Sequence, residues 1–595
     1  MKHLFSGALS GVLVLVAVAG LLSGSPSAAE TAPLVSKPGQ YSGYSPVLYD
    51  GYQLSSQYVA ARDGTKLAVD IFRPTRDGKL ADQPWPVLFM HTPYNRRNYR
   101  DGLTAANYPG QALQLVKYGY VVAVADFRGL FASFGVNGAY NRGEWLDPAY
   151  WDAYDIIEWL AKQPWSNGKV GMWGCSATGG SQMQAATSMP PSLKAVFPMS
   201  CEFDVLPFGV PGGVVRDLNR NPPTPHGEIP VRDRDAAAVD ADTTGAMLKA
   251  ASEQHRGNRE DPGVIPFRDS ESPTLGVNWW QKSSPHAYLD RINKSGIVMY
   301  AAANWDEAST KYGAFFTFNN VDNPVKLIVG PQTHCNWAAI RKENGFDIVV
   351  EEHRFFDHWL KGIDNGVMRE PPVYYYTYNA PPGHEWNAAP SWPLPNEKRT
   401  KFYFDAAQSL AAAAPKAPDG KDEIAIAYGI KPENRADKAL TYLTPPLRAD
   451  VQITGHPVVN LWVSSTATDG DFFVYLEDVA PDGKVTAYNM DGRLRASHRK
   501  LHEAPYDNLG LPWHRSEAQD ITPLKAGEPA ELVFDLYPIS YVFKAGHQIR
   551  VTVAFAEPGT RAVAAAPVVT VYRGAQHSSS ITLPVIEAAR SVAQR

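Results

Sequence analysis

Between residues 55 and 200, short apolar runs of strand length alternate with amphipathic stretches. Pro86–His91, Tyr120–Asp126, Lys169–Gly174 and Ala195–Ser200 each read as a buried strand, because unbroken apolar runs suit a parallel sheet covered on both faces. Asp147 and Pro148 predict a helix start, and Ala153, Ile156, Ile157 and Leu160 then recur on one helical face. The rhythm breaks near residue 201, where a stretch rich in Pro, Asp, Arg and Gly carries a single helical pattern near Gly245–His255. Strands resume at Ile297–Ala302 and Val325–Gly330, and the amphipathic Glu351–Gly362 closes the unit. After a Pro-rich linker, Val458–Ser465, Phe472–Val479, Ala530–Tyr537, Gln548–Ala556 and Pro567–Arg573 are strand-like, with turn residues between them. The pattern predicts a doubly wound α/β domain with an insertion, followed by a β-sandwich.

At 595 residues the chain exceeds one compact core. Its net charge of −5 excludes a generic polyanion binder, so no nucleic acid is expected as a partner. Lys2, the apolar run Ala8–Leu22 and the small residues Ser25–Ala29 read as a secretory leader, residues 1–29, cut before Glu30, with an uncleaved N-terminal anchor as the alternative. The mature protein is therefore expected outside the cytoplasm, periplasmic or secreted, without a membrane span. No Cys-x-x-Cys or Cys/His spacing suggests a metal, and no cofactor is expected.

The chemistry concentrates in Lys169–Gly180 (KVGMWGCSATGG), where a strand runs into Gly174-Cys175-Ser176-Ala177 and a helix of small residues follows. A nucleophile must stand exposed on a sharp strand-to-helix turn, and glycines on either side relieve the crowding there. The Ala177 N–H, at the helix N-terminus, is placed to stabilise an oxyanion. A serine hydroxyl needs a His to take its proton and an acid to orient that His. In the order Ser, acid, His, Asp306 lies just past the strand 297–302 and His334 just past 325–330, both at strand carboxyl ends where ligands gather. Glu307 is the alternative acid. Trp151, Trp305 and Trp337 lie near these motifs and read as either pocket lining or packing.

The chain resembles the cocaine-esterase and X-prolyl dipeptidyl-peptidase (CocE/NonD) family of serine hydrolases over nearly all its mature length. The resemblance rests on Arg62-Asp63-Gly64, His91-Thr92-Pro93-Tyr94, Asp126 to Ser133, Gln163-Pro164-Trp165, Gly174-Cys175-Ser176, Trp305-Asp306, Gly330 to His334 and Ser540 to His547. It implies an α/β-hydrolase domain (30–204 and 289–395), a mostly helical cap (205–288) and a C-terminal jelly roll (396–590). It also implies that the Tyr94 hydroxyl joins the Ala177 N–H in the oxyanion hole. Where the family usually has Tyr after the nucleophile this chain has Ala177, so an aromatic wall of the acyl pocket is lost. Related α-amino-acid ester hydrolases hold a substrate ammonium with carboxylates, for which Glu202, Asp204 and Glu307 are the candidates here.

The resulting expectation is an exported serine hydrolase cleaving small carboxylic esters through an acyl-serine. An X-prolyl dipeptidyl-peptidase or β-lactam acylase would need the acidic ammonium anchor, and a glycan-binding protein with an inactive hydrolase domain would need neither. The substrate is a small-molecule ester or amide, and a homo-oligomer stays open. Among the three cysteines, Cys201–Cys335 is the expected bridge, because the residue before a nucleophile normally points into the core, away from the base. Three free thiols are the alternative.

Overall fold

The computed structural model describes residues 33–97, 110–214, 224–418, 420–426, 438–557 and 567–587, so the leader read at 1–29 lies outside the described residues. Ten strands of the catalytic sheet are labelled in chain order: β1 (Gly51–Ala60), β2 (Lys66–Arg76), β3 (Trp85–Thr92), β4 (Val121–Asp126), β5 (Ser166–Cys175), β6 (Leu193–Met199), β7 (Val298–Asp306), β8 (Val325–Thr333), β9 (Val373–Tyr376) and β10 (Trp386–Ala389). Their spatial order is β10-β9-β8-β7-β6-β5-β3-β4-β2-β1. Pairing is parallel from β9 to β4 and antiparallel at both ends. Such a sheet must be covered on both faces.

Five helices matter for the site: α1 (Asp152–Ala161), α2 (Ala177–Ser188), α3 (Thr310–Asn320), α4 (Trp337–Asn344) and α5 (Ile348–Lys361). On one face α1 buries Ala153, Ile156, Ile157 and Leu160, and α2 adds Met183. On the other, Trp337 and Ile340 of α4 pack with Phe355 and Phe356 of α5. The apolar stripe of α1 is the one its period predicts, but the helix begins at Asp152, after a single 3-10 turn over Ala149–Trp151, rather than at Pro148.

Between β6 and β7 the regular elements among the described residues are all helices, the longest being Ala246–Gln254. Most of it is loop and turn. Asp126 and Arg128 are both buried, each in its own ion pair: Arg96 holds Asp126, and Arg128 holds Asp152 and Asp63.

From Glu397 onward the described chain is all-β, with strands from Glu397–Asp405 to Ser580–Ile586 in one fourteen-stranded set of pairings. This domain shares a hydrophobic core with the end of the catalytic sheet. Trp305 of β7, Phe315 of α3 and Val329 of β8 belong to the same buried cluster as Trp392, Leu461 and Phe534. The strand leading to the two candidate acids is thus packed into the all-β domain.

Candidate active site

β5 enters the site through Gly174 at φ 140° and ends at Cys175; Ser176 follows at φ 62°, ψ −127°, and α2 starts at once. A non-glycine residue at positive φ is strained and is kept where the surroundings impose it. Here they do. A Cβ on Gly174 would lie 2.4 Å from Thr178 Oγ1, and one on Gly179 2.5 Å from the Met199 carbonyl, so strand and helix can meet at this angle only with glycine at both positions. The Ser176 N–H donates to the Met199 carbonyl at 2.9 Å, pinning the turn onto β6.

Tyr94 closes over this turn from the carboxyl end of β3. Its hydroxyl hydrogen-bonds the Ser176 side chain and the Ala177 backbone N–H. Burial pushes the phenol's pKa up, while those two bonds and the nearby Arg142 charge pull the other way. A neutral phenol and a helix N-terminal N–H therefore converge on the nucleophile, which is the arrangement an oxyanion needs.

On the base side, His334 Nδ1 meets Glu307 Oε2 at 2.6 Å. The same oxygen accepts from Thr310 Oγ1 at 3.1 Å, and Oε1 accepts from the Asn304 N–H at 3.0 Å. Glu307 is buried and His334 exposed. Burial would lower the imidazole pKa, but the Glu307 bond and charge, with a further contribution from Glu202, leave it raised.

Asp306, expected as the orienting acid, does not reach the base, and this is a correction. Its carboxylate accepts from Asn489 of the all-β domain, through Nδ2 at 2.9 Å and the backbone N–H at 3.3 Å. The reason is geometric. Neighbouring side chains at a strand end project to opposite sides, and the β7–β8 register slips between Asn304 and Asp306. One carboxylate is turned to each domain.

The cysteines also differ from expectation. Cys175 and Cys335 are bonded, with Cα atoms 5.9 Å apart, and Cys201 is a free buried thiol. The sheet separates the expected partners: Cys201 packs with the α1 and α2 face, whereas Cys175 and Cys335 belong to the face covered by α4 and α5. The bridge joins the residue before Ser176 to the residue after His334, and so ties nucleophile turn and base loop together.

The aromatic candidates each have a defined set of neighbours. Trp151 lies under the Arg62 guanidinium, 4.2 Å from it. Trp305 is fully buried, donates to the Tyr376 carbonyl and packs on Phe315 and Trp392. Trp337 is core beneath Gly330. The carboxylates Glu202 and Asp204 are buried and already paired, Glu202 with Arg142 and Asp204 with Arg268 at 2.9 Å. Asp204 lines a cavity at the junction of sheet, insertion and all-β domain, together with Phe203, Ser309, Phe316, Tyr506 and Trp513. Ser176, Tyr94 and His334 are not part of its wall. Arg142, Thr310 and Asn489 were not singled out from sequence. Thr310, three residues after Glu307, carried a positional signal; the other two carried none.

Among the described residues no cluster of His, Cys, Asp and Glu could hold a metal ion, and no helix is long and apolar enough to cross a membrane.

Residues 63–336 match the X-Pro dipeptidyl-peptidase (S15) family, and residues 365–561 match the X-Pro dipeptidyl-peptidase C-terminal non-catalytic domain. A putative serine esterase of Mycobacterium tuberculosis is 32% identical over 93% of this chain and 98% of its own. Cocaine esterase of Rhodococcus sp. is 29% identical over 90% and 98%. In fold, a CocE/NonD family hydrolase of Staphylococcus aureus superposes with a TM-score of 0.68 at 21% identity, covering 90% of this chain and 94% of that one.

Proposed function

The chain belongs to the cocaine-esterase and X-Pro dipeptidyl-peptidase family and is a serine hydrolase, and from that premise we propose that it is an esterase for small carboxylic esters rather than a peptidase. The observation that carries this reading is the state of three carboxylates. A dipeptidyl-peptidase or amino-acid ester hydrolase needs an acidic group for the substrate ammonium. Glu202 is committed to Arg142, Asp204 to Arg268 and Glu307 to His334. Removing any of them from its partner would strand a buried charge.

In the mechanism, Ser176 Oγ attacks the ester carbonyl while His334 Nε2 takes its proton. The Nδ1–H stays bonded to Glu307, whose charge stabilises the imidazolium. The negative oxygen of the tetrahedral intermediate lies between the Ala177 N–H and the Tyr94 hydroxyl. Collapse returns the proton to the departing alcohol and leaves acyl-Ser176, which water hydrolyses with His334 again as base. The donors of Tyr94 and Ala177 at Ser176, and the bridge that ties its turn to the loop carrying the His334–Glu307 pair, disfavour a glycan-binding protein with an inactive hydrolase domain. The leader read in the sequence and a disulfide beside the nucleophile support action outside the reducing cytoplasm.

The test is a panel of p-nitrophenyl esters beside aminoacyl- and X-Pro-p-nitroanilides, with a fluorophosphonate label located by mass spectrometry. Fast ester turnover, slow anilide turnover and label on Ser176 are expected. Anilide rates comparable to ester rates overturn the reading.

A further inference from the structure

We propose that Asn489 and Lys311 are positioning residues for the acid–base pair, through which the C-terminal domain holds the turn Trp305–Asp306 so that Glu307 stays aimed at His334. The inference rests on the reading of Glu307 as the orienting acid.

Two adjacent carboxylates leave the end of β7, and only one faces the base. A short segment with two equivalent anions has a competing arrangement in which Asp306 swings toward the imidazole and Glu307 away. What holds the observed one lies across the domain boundary. Asn489, in the loop before the strand Asp491–Arg495, donates twice to Asp306 Oδ1. Its own carbonyl accepts from Lys311 Nζ at 3.0 Å. Lys311, in the first turn of α3, also donates to the Trp305 carbonyl at 2.5 Å and the Pro538 carbonyl at 3.3 Å.

The side chain of Lys311 is fully buried, with its ammonium over the Tyr537 ring. A buried ammonium persists only while its donors are satisfied. All three acceptors are backbone carbonyls, one on the acid-bearing strand and two on the all-β domain. The staple thus links β7, α3 and the C-terminal domain at one point. Burial pulls the Lys311 pKa down to about 8, against the fields of Glu307, Asp491 and Asp306. The residue before Asp306 is itself core: the Trp305 ring packs against Phe315 and Trp392.

The experiment uses the full chain with p-nitrophenyl acetate. Asn489→Ala, Asp306→Ala, Asp306→Asn and Glu307→Gln are measured singly, and Asn489→Ala also in the Glu307→Gln background. Asn489→Ala is expected to lower kcat by about 10- to 100-fold, the scale of outer contacts that orient a reacting group, with KM little changed and the melting transition still cooperative. Asp306→Asn, which keeps an acceptor oxygen for Asn489, should restore most of what Asp306→Ala loses. In the Glu307→Gln background Asn489→Ala should cause almost no further loss, because the contact it positions is already gone. An unchanged kcat in Asn489→Ala, or an equal loss in both backgrounds, overturns the inference. If Glu307→Gln itself keeps full activity, the reading of the acid fails, and that outcome is distinct from failure of the staple.

Discussion

Replacing Glu307 by Gln tests the central geometry of the site. The wild-type carboxylate is acceptor-only and receives three donors: His334 Nδ1 at 2.6 Å, Thr310 Oγ1 at 3.1 Å and the Asn304 N–H at 3.0 Å. An amide has one oxygen. If its nitrogen takes the Oε2 place, the imidazole must accept there, its proton moves to Nε2, and the atom that should take the Ser176 proton is already protonated. If its nitrogen takes the Oε1 place, it meets the Asn304 N–H head-on in a buried site, which costs about 1–3 kcal/mol. Either way the charge that stabilises the imidazolium is gone. The comparable loss in serine-protease triads is about 10⁴ in kcat, or ~5.4 kcal/mol at 1.36 kcal/mol per decade. Asp306→Asn keeps its hydrogen-bond acceptor and should stay within about tenfold of wild type, since one neutral bond is worth ~1 kcal/mol.

The assay is the initial rate of p-nitrophenyl ester hydrolysis between about pH 5 and 9, the range in which a histidine changes charge, with circular dichroism as the check on folding. The pH profile carries a sign. Because the His334 pKa is raised by Glu307, the charged pair stabilises the fold fully below the unfolded-state pKa and loses that contribution as pH rises through the folded one. Activity runs the other way, since only neutral imidazole is a base. Any residual activity of Glu307→Gln should therefore begin at lower pH than in wild type. Wild-type rates in Glu307→Gln, or a loss in Asp306→Asn as large as in Glu307→Gln, would show that Glu307 is not the acid that orients His334.

Tyr94→Phe should lower kcat by about 10²–10³-fold with little change in KM, as expected for one lost oxyanion donor; steady-state kinetics decide it. Thiol titration of denatured, unreduced mature protein should find one thiol, Cys201, whereas three would contradict the Cys175–Cys335 bridge. Reduction, or Cys335→Ser, should lower kcat and the melting temperature, up to a chain-entropy limit of about 5 kcal/mol for a loop of this length, and unchanged activity would show that the bridge does not hold the base. Glu202→Gln removes part of the negative field on His334, so the acidic limb of kcat/KM should move to lower pH; a limb that stays in place would separate Glu202 from the site.

Much of this protein is legible in its sequence, for a local reason. Strand-length apolar runs such as Pro86–His91, the helix period of Ala153 to Leu160 and the glycines around Ser176 act over a few residues, so they mark the sheet and the nucleophile turn without knowledge of the fold. The position of His334 after its strand is equally local. Tyr94 was reached only through resemblance, because its place depends on how β3 lies beside β5. Tertiary structure alone decided three matters. Whether Asp306 or Glu307 faces the base depends on the register of β7 against β8 and on a domain nearly two hundred residues further along the chain, at Asn489. Which cysteine meets Cys335 depends on which face of the sheet each side chain leaves, and that parity puts Cys201 on the wrong face. Trp151, Trp305 and Trp337 sit beside catalytic motifs in sequence, yet they pack against Arg62, the all-β domain and the sheet. A side chain's neighbour in the chain says little about the direction in which it points.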